Sequence, residues 1–300
     1  MIRDYIKETR EPTLLLSALS GIVGLSAAMY YGRASIAVGI LAIVGAVLAQ
    51  ASVNMLDDYF DFKTGLDMET SKTGFSGGSG LLVSGRVMPV NVLAIALAVL
   101  AAASVIGAYA LLSAPGVALA VLVLIAVGGA GVLLYAKHLT RIPFLAEPFV
   151  AACFALIGIG VFLVASDGAA HFWSAAAACA LAGIQIGAVL IANEVPDIGP
   201  DRKYGRRSWA VMSGGPAGAW HLYAGFQILG FALLVLGIAA GALPLAHALV
   251  LAFAPIALYV AIGIRSYKNA KAHERIMRTS AVMCMAYMAV LSAVYLLSLV

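Results

Sequence analysis

Nine long apolar runs constrain this chain of 300 residues more than any other feature. Each run holds about 20 mainly apolar residues, the length that an α-helix needs to cross the hydrocarbon core of a bilayer. A helix satisfies its own backbone hydrogen bonds inside lipid, so such runs form helices there. The runs cover approximately residues 13–31, 36–56, 90–113, 116–135, 145–166, 172–192, 219–242, 244–264 and 279–299. The sequence therefore predicts an all-α, polytopic membrane protein with about nine transmembrane helices in one bundle.

The composition excludes several other classes of protein. Hydrophobic residues make up 63% of the chain and charged residues 11%, with a mean hydropathy of +1.02. So few charges cannot cover a water-facing surface, which excludes a soluble enzyme and a disordered chain. The three cysteines stand alone without a CxxC pair, which excludes a disulfide scaffold, and the net charge of +4 is too small for a nucleic-acid-binding protein. No low-complexity linker divides the chain, so we predict a single domain over residues 1–300.

The basic residues are distributed unevenly between the two sides of the predicted bundle. Long polar loops cover residues 57–89, 136–144, 193–218 and 265–278, and with the N-terminal tail they hold 17 of the 18 lysines and arginines. Only Arg33 falls on the opposite side. Because cytoplasmic loops are enriched in Lys and Arg, the distribution predicts a multi-pass protein of the plasma membrane. Its N-terminus and long loops would be cytoplasmic, and its C-terminus would lie outside.

Eight of the 14 acidic residues fall in two short segments, 54–69 and 193–203, directly after the second and sixth apolar runs. Side chains four residues apart project from the same face of a helix. The pairs with this spacing are Asn54 and Asp58, Asp57 and Asp61, Asn193 and Asp197, and Asp197 and Asp201. Pro196 and Pro200 make a regular helix doubtful in the second segment. Acids at the ends of membrane helices are costly and are therefore candidates for a functional site.

Clustered carboxylates repel one another unless cations lie between them. Such hard oxygen ligands suit Mg²⁺, which is typically bound by one or two carboxylates together with substrate phosphates. Bases that could bind phosphate flank both segments: Lys63, Lys72, Arg86, Arg202, Lys203, Arg206 and Arg207. The pattern thus indicates a metal-dependent diphosphate site with a cytoplasmic opening. The alternative is that the acids are solvated loop charges and that topology alone places the bases.

The two acidic segments resemble known motifs. Asp58-Tyr59-Phe60-Asp61 through Asp67 resembles the first aspartate motif of the UbiA superfamily of intramembrane prenyltransferases, and residues 193–208 resemble the second. Leu134-Tyr135, Arg141 and Leu145-Ala146-Glu147 are similar to segments of the MenA-like branch, the dihydroxynaphthoate polyprenyltransferases. The chain departs from the family at Asp57, where Asn is usual, and at Ala146, where Gly is usual. The resemblance spans the whole chain in helix count and motif order.

The resemblance implies Mg²⁺-dependent transfer of a polyprenyl group from polyprenyl diphosphate to a lipophilic aromatic acceptor among the membrane lipids. The acceptor expected is 1,4-dihydroxy-2-naphthoate or a related quinone precursor, as in menaquinone biosynthesis. The expected metal ligands are Asp57, Asp58, Asp61, Asp197 and Asp201. The expected catalytic residues are Asp58, Asp61, Asp197, Asp201 and Glu147. The expected substrate-binding residues are Asn54, Asp57, Lys63, Lys72, Arg86, Tyr135, Arg141, Asn193, Lys203, Arg206 and Arg207.

Three other functions stay open at this point. A UbiA-type enzyme could use a different acceptor, such as a glycerol lipid, a carotenoid, or the prenyl chain itself in a cyclisation. A cation-coupled secondary transporter would also need buried acids, but near the middle of the membrane rather than at helix ends. A purely structural membrane protein would give no reason for two matched acidic segments.

Overall fold

The computed structural model describes residues 2–32 and 34–299, and within these ranges the chain is helical with no β-strand. Nine helical segments of the described chain are long and apolar enough to cross a membrane, which confirms the predicted fold class. The nine segments are Glu11–Tyr31, Ile36–Thr64, Pro89–Ser113, Pro115–Leu134, Ala146–Ser166, Phe172–Lys203, Pro216–Ala239, Leu245–Arg265 and Ala270–Leu297. Arg33, the one basic residue predicted on the opposite side, lies outside the described residues.

The α-helices are named in chain order. They are α1 (Ile2–Lys7), α2 (Glu11–Tyr31), α3 (Ile36–Thr64), α4 (Pro89–Ser113), α5 (Ala118–Leu134), α6 (Ala146–Ser166), α7 (Phe172–Glu194), α8 (Ile198–Lys203), α9 (Trp209–Met212), α10 (Pro216–Ala239), α11 (Ala254–Arg265) and α12 (Ala270–Leu297). Short 3₁₀ helices cover Leu66–Met68, Pro115–Val117, Leu139–Arg141, Val195–Asp197 and Leu245–Phe253.

Three boundaries differ from the predicted apolar runs. Helix α3 continues to Thr64, eight residues beyond the predicted end at 56. The apolar run ends at residue 56, but the two acidic turns that follow it are also helical. The predicted loop 265–278 is largely helix, since α12 begins at Ala270 and the Asn269 side chain caps it by accepting a hydrogen bond from the Ala272 N–H at 2.9 Å. After α7 the chain passes through the 3₁₀ turn Val195–Asp197 into α8 rather than continuing as one regular helix.

Small residues allow the central helices to approach closely. At Gly158 in α6, an added Cβ atom would lie 2.6 Å from the Cys179 sulfur of α7 and 2.8 Å from the Ser20 carbonyl oxygen of α2. Close backbone approach at small residues is the usual basis of helix association in membranes. Helix α5 packs more openly, since added Cβ atoms at Gly128 and Gly129 would meet no atom within 4 Å. This loose packing leaves space inside the bundle beside α5.

The N-terminal segment and the polar loops meet at one end of the bundle, which we call the acidic end. Arg86 donates to Asp4 at 2.5 Å, and the Asn91 side chain donates to the Tyr5 hydroxyl at 2.9 Å. The Arg207 N–H donates to the Thr140 carbonyl at 2.8 Å, which joins two further loops there. Loops far apart in sequence thus form one surface around the ends of α3 and α7.

Candidate active site

The first acidic segment lies on the last turns of α3 and the 3₁₀ turn that follows. Asp57, Asp58 and Asp61 are buried with 8%, 1% and 7% of their surface exposed. Gly65 ends the helix in the left-handed region, at φ 87°, where a residue without a side chain is favoured. The chain then turns back and brings Asp67, also buried, beside the same group. Burial, and then the nearby Asp58 charge, raise the pKa of Asp67 to about 6.

Two arginines from distant parts of the chain bridge these carboxylates. The Arg10 guanidinium donates to Asp57 at 3.1 Å and also to Asp58. The Arg206 guanidinium donates to Asp57 at 2.9 Å and to Asp61 at 2.5 Å. Burial alone would lower the pKa of Arg206, but the neighbouring carboxylates outweigh it and hold the pKa well above its ordinary value. Both arginines therefore stay charged and offset the repulsion between the acids.

Asp58 does not line the cavity between the two acidic segments. It accepts a hydrogen bond from the Ser79 backbone N–H at 3.0 Å in addition to the one from Arg10. Glu8, completely buried, lies beside it, and burial together with the charge of Asp58 raises the pKa of Glu8 to about 8. Asp58 thus ties the N-terminal segment (residues 2–10) and a glycine-rich loop (residues 76–85) to the end of α3.

The second acidic segment presents oxygen atoms that have no hydrogen-bond partner among the described residues. These atoms are buried and belong to Asn193 (Oδ1), Glu194 (Oε2) and Asp197 (Oδ1). Asp201, one turn further on in α8, is 4% exposed. Buried polar atoms without partners are rare in proteins and call for a ligand, an ion or water. This side of the site can therefore accept cationic or hydrogen-bonding groups.

A cavity of about 700 Å³ begins between the two acidic segments and continues into the bundle. Six acids and three bases line its polar end: Asp57, Asp61, Asp67, Glu194, Asp197, Asp201, Lys7, Arg10 and Arg206. Further in, side chains of α3 to α6 such as Leu100, Ile125, Phe154 and Ile157 make the lining apolar. Ala110, Val121 and Val164, near the far ends of their helices, line its deepest part. The cavity thus joins a charged opening to a hydrocarbon-like interior.

The structure brings eight of the predicted site residues to this cavity. They are Asn54, Asp57, Asp61, Tyr135, Asn193, Asp197, Asp201 and Arg206. The other predicted residues do not line it; they are Asp58, Lys63, Lys72, Arg86, Arg141, Glu147, Lys203 and Arg207. Lys63 and Arg141 instead line a second, smaller cavity beside it.

Several of the predicted phosphate-binding bases have other partners. Arg86 is bonded to Asp4, Lys203 is bonded to Glu69 at 2.6 Å, and Arg207 is exposed at the surface. Lys72 donates to the Gly77 carbonyl at 2.5 Å and lies 3.7 Å from Asp67. In this arrangement Asp4 and Glu69 hold the Arg86 and Lys203 side chains outside the cavity that Arg206 lines.

Glu147 lies at the start of α6, completely buried and outside the cavity lining. It accepts a hydrogen bond from the Trp209 backbone N–H at 2.5 Å and forms no ion pair with Arg141. In this position it joins the start of α6 to the start of α9. Its Oε2 atom has no hydrogen-bond partner among the described residues, and its side chain interacts with Glu194, a partly buried acid that lines the cavity.

The sequence did not single out four charged residues that line the cavity: Lys7, Arg10, Asp67 and Glu194. Lys7 and Arg10 looked like topology-determining charges of a tail, and no pattern in the sequence distinguishes them from Arg3. Asp67 falls inside the first acidic segment, six residues after Asp61, but breaks the four-residue spacing because a turn intervenes. In the sequence, only the position of Arg10, three residues before Thr13 at the start of the first span, suggests that its side chain could reach the ends of the helices.

The donor set fits Mg²⁺ that arrives with a phosphate ligand rather than a preformed metal site. No group of three or more acidic, histidine or cysteine side chains converges closely enough within the described residues to hold an ion alone. Carboxylate oxygens are nevertheless the preferred protein ligands of Mg²⁺, which often takes only one or two of them and completes its shell with substrate phosphates. The unpartnered oxygens of Asn193 and Asp197 are available to such an ion or to its bound water.

The cavity, with charges at its opening and an apolar interior, has the form of a binding site for an amphiphile. The model of the UbiA prenyltransferase family matches residues 14–297. The chain belongs to this family and is a prenyltransferase. This confirms the resemblance seen in the two acidic segments.

Individual relatives agree with the family. The chain is 26% identical over 223 residues to 1,4-dihydroxy-2-naphthoate octaprenyltransferase of Bacillus subtilis (strain 168), covering 73% of this chain and 69% of the relative. The fold is similar to that of an apo UbiA homolog from Aeropyrum pernix K1, with a TM-score of 0.68, 19% identity and coverage of 96% and 98% of the two chains. A UbiA homolog from Archaeoglobus fulgidus bound to GPP and Mg²⁺ is similar with a TM-score of 0.62, 14% identity and coverage of 97% and 99%.

Proposed function

We propose that this prenyltransferase carries a polyprenyl group from its diphosphate to an aromatic acceptor, 1,4-dihydroxy-2-naphthoate or a related quinone precursor. The reaction would take place at the cytoplasmic face of the plasma membrane and serve menaquinone biosynthesis. The supporting observation is that one cavity combines a charged opening with an apolar interior. A prenyl diphosphate has the same division, since a charged head is joined to a hydrocarbon tail. The Bacillus subtilis relative supports the naphthoate acceptor. The Archaeoglobus fulgidus homolog bound to GPP and Mg²⁺ supports the use of Mg²⁺.

The head group of the substrate binds at the charged opening. Asp57, Asp61, Asp197 and Asp201 would hold Mg²⁺, which when bound neutralises charge on the diphosphate as it leaves. The Arg206 guanidinium exchanges part of its contact with carboxylates for phosphate oxygens, because a planar fork suits both. Asp58 keeps Arg10 and the glycine-rich loop in place from the other side. These residues bind and orient the diphosphate so that its bond to the allylic carbon faces the interior.

The interior of the cavity receives the tail and keeps water away from the reacting carbon. Breaking the carbon–oxygen bond leaves the electron pair on the diphosphate, and a ring carbon of the acceptor supplies the pair for the new carbon–carbon bond. That ring carbon then loses its proton to the released diphosphate, which restores the aromatic ring. Tyr135 lines the cavity near the acids, and burial followed by the charge of Asp57 raises its pKa well above the ordinary value. Its hydroxyl therefore stays protonated, and its neutral ring can face a developing cation.

Transfer assays on the purified protein in lipid nanodiscs test this proposal. Labelled polyprenyl diphosphate is supplied with a dihydroxynaphthoate, with a glycerol lipid acceptor, or without acceptor, each in Mg²⁺ and in EDTA. We expect product with the aromatic acceptor in Mg²⁺ only, and none from Asp197→Asn under the same conditions. Product with the glycerol lipid alone, or cyclised product without acceptor, would contradict the aromatic acceptor. Full turnover in EDTA would contradict the role of Mg²⁺.

A further inference from the structure

The cavity of about 700 Å³ that opens at the acidic end runs along α3 for most of the thickness of a membrane. One face of α3 lines it, through residues at helical spacing: Ala42, Gly45, Ala46, Ala49, Gln50, Val53, Asn54, Asp57 and Asp61. From Asp61 to Ala42 this face is about 28 Å long at about 1.5 Å per residue. The hydrocarbon core of a bilayer is about 30 Å thick. The cavity is therefore elongated and extends from the acidic end toward the opposite end of the bundle.

Buried residues close the far end of this cavity. Its deepest lining residues, each at most 5% exposed, lie near the ends of α4, α5 and α6 and form what we call the end wall: Ala110, Val121 and Val164. Behind the end wall, Ala114 and Val117 are also buried and belong to the same apolar cluster. The Gly116 N–H donates to the Asp167 side chain at 3.3 Å, which holds the turn between α4 and α5 against the end of α6. The end wall is therefore backed by packed protein.

A gap interrupts the side of the cavity between α4 and α5. Ser104 of α4 and Gly128 of α5 line the cavity and are also exposed on the surface of the bundle. The lining continues past the gap to the end wall, and α4 and α5 come close together again there. An added Cβ atom at Gly107 would lie 3.2 Å from the Ile125 side chain. A straight tail thus passes the gap and continues toward the end wall.

The length of a prenyl tail decides whether it meets the end wall. On α5 the lining extends about 21 Å from Tyr135 to Val121, at about 1.5 Å per residue. An isoprene unit adds four carbon–carbon bonds of about 1.5 Å each, or about 5 Å when extended. An extended tail of four units therefore fits, and one of eight units is too long. In lipid a tail gains nothing from an apolar lining, so only steric contact can distinguish the two.

We infer that the end wall makes the enzyme selective for tail length, accepting tails of up to about four isoprene units and rejecting much longer ones. A tail that meets the end wall before its diphosphate reaches the acids holds the reacting carbon out of place. The inference rests on the proposed placement of the tail in this cavity and adds what limits its length. Helix packing alone accounts for a closed end of the bundle, but not for a lined cavity that leads to it.

Substitutions that move the end wall in opposite directions test the inference kinetically. Ala110→Leu shortens the cavity and Val121→Ala lengthens it. The matched controls are Ala108→Leu and Val123→Ala, at exposed positions of the same helices that do not line the cavity. Each protein is assayed in nanodiscs with geranyl, geranylgeranyl, hexaprenyl and octaprenyl diphosphate. Octaprenyl diphosphate is the decisive donor, because the Bacillus subtilis relative is named an octaprenyltransferase.

We expect kcat/KM of the wild type to be similar for geranyl and geranylgeranyl diphosphate and at least about 10-fold lower for octaprenyl diphosphate, as for steric overpacking. Ala110→Leu should lower kcat/KM for geranylgeranyl diphosphate by about 10-fold and leave that for geranyl diphosphate unchanged. Val121→Ala should raise kcat/KM for hexaprenyl diphosphate. Both controls should match the wild type. Because the two cavity variants act in opposite directions, a folding defect cannot imitate the result.

A binding measurement without turnover separates failure of the inference from failure of the proposed function. Unreactive thiolodiphosphate analogues of the four donors compete with a labelled geranylgeranyl analogue in Mg²⁺, and their affinities should follow the same dependence on length. Equal use of octaprenyl and geranylgeranyl diphosphate by the wild type would overturn the inference. So would loss of octaprenyl transfer in Gly128→Leu but not in Ala110→Leu, because the tail would then leave through the gap. Length-dependent binding without transfer to the naphthoate would contradict the proposed acceptor and leave the end wall standing.

Discussion

Asp57 accepts hydrogen bonds from two arginines, Arg10 and Arg206, that lie almost two hundred residues apart in sequence. Removing one partner from a buried ion pair leaves an uncompensated charge, which is costly. The arginines therefore hold the acidic end together while no other cation is present. The same guanidinium groups suit phosphate, so the cluster can exchange partners when a diphosphate with its metal arrives.

Arg206 offers a test of the phosphate role at the scale of one residue. Loss of a charge-assisted contact costs about 1.5–3 kcal/mol, or roughly 10- to 150-fold in affinity. Arg206→Ala should raise the apparent KM for prenyl diphosphate by about that factor, and added Mg²⁺ should not restore it. Arg206→Lys should recover part of the loss, because the charge remains but the planar fork does not. Steady-state kinetics with each substrate varied separately measure both constants.

Arg202→Ala is the matched control for Arg206, since Arg202 is exposed and lines neither cavity. Its constants should equal those of the wild type. Equal KM values for prenyl diphosphate in wild type, Arg206→Ala and Arg206→Lys would remove Arg206 from the substrate site and leave it as a partner of the acids alone.

Glu8 should make the stability of the protein depend on pH. Burial, and then the charge of Asp58, raises its pKa from 4.5 to about 8. The folded state therefore binds this proton more tightly than the unfolded state, and the resulting stabilisation is fully present below the ordinary pKa and lost as pH rises through about 8. The midpoint of thermal unfolding should fall as pH rises from about 4.5 to about 8, the ordinary and the folded-state pKa of Glu8, and it should fall less in Glu8→Gln.

Glu11→Gln provides the comparison, because Glu11 lies three residues further on and is exposed. Its unfolding profile should follow that of the wild type. Parallel profiles for wild type and Glu8→Gln would show that Glu8 does not carry the pH dependence.

At the scale of secondary structure, the length of α3 positions the first half of the site. The helix runs from Ile36 to Thr64, and its last two turns carry Asp57, Asp58 and Asp61 past the apolar run. Because Asp57 and Asp61 lie one turn apart, they share a face toward the cavity, while Asp58 accepts hydrogen bonds from Arg10 and from the Ser79 N–H. One helix thereby carries both the acids that line the cavity and Asp58, which holds the N-terminal segment.

Close packing at Gly158 should be essential to the helix bundle. Gly158→Val would place a branched side chain against the Cys179 sulfur and the Ser20 backbone, where an added Cβ already approaches to 2.8 Å or less. Overpacking of this kind costs about 1–3 kcal/mol. We expect a lower midpoint of unfolding in detergent, measured by circular dichroism. Gly225→Val in α10, where an added Cβ meets no atom within 4 Å, should leave the midpoint nearly unchanged. Equal midpoints for the two variants would show that α6 can move aside.

At the scale of the whole molecule, the acidic end gathers the N-terminal segment and loops from three parts of the chain. Hydrogen bonds between Arg86 and Asp4, Lys203 and Glu69, and Arg207 and Thr140 join them. The basic residues of these loops predict that this end faces the cytoplasm. The orientation also decides from which side the charged opening receives its ligands.

Single cysteines introduced at exposed positions test this orientation. Ser71→Cys and Ser266→Cys lie at the acidic end, and Ala240→Cys lies between two spans at the opposite end. An impermeant thiol reagent applied to intact cells should label only the cysteine at 240, and inside-out vesicles should give the reverse. The wild type serves as the blank, because two of its three cysteines are buried and the third is partly buried within the bundle. Labelling of positions 71 and 240 from the same side would contradict the predicted topology.

Hydropathy and local spacing were sufficient to predict the nine spans and the two acidic segments, since a membrane helix is recognised by its own residues. The segments also carry the family resemblance, which the match over residues 14–297 confirms. Local patterns did not reveal that the last turns of α3 stay helical to Thr64 or that α12 begins at Ala270. There the sequence is polar, and tertiary packing rather than hydropathy keeps the backbone helical.

Only the tertiary structure decided which charged side chains meet. Arg10 reaches Asp57 and Asp58 because the start of α2 packs beside the end of α3, whereas Lys203 is held outside the cavity by Glu69. Both bases looked alike in the sequence, as members of a tail or loop on the same side. Charge type and number are properties of the chain, but an ion pair depends on distance and burial. These depend on how helices far apart in sequence are rotated against one another.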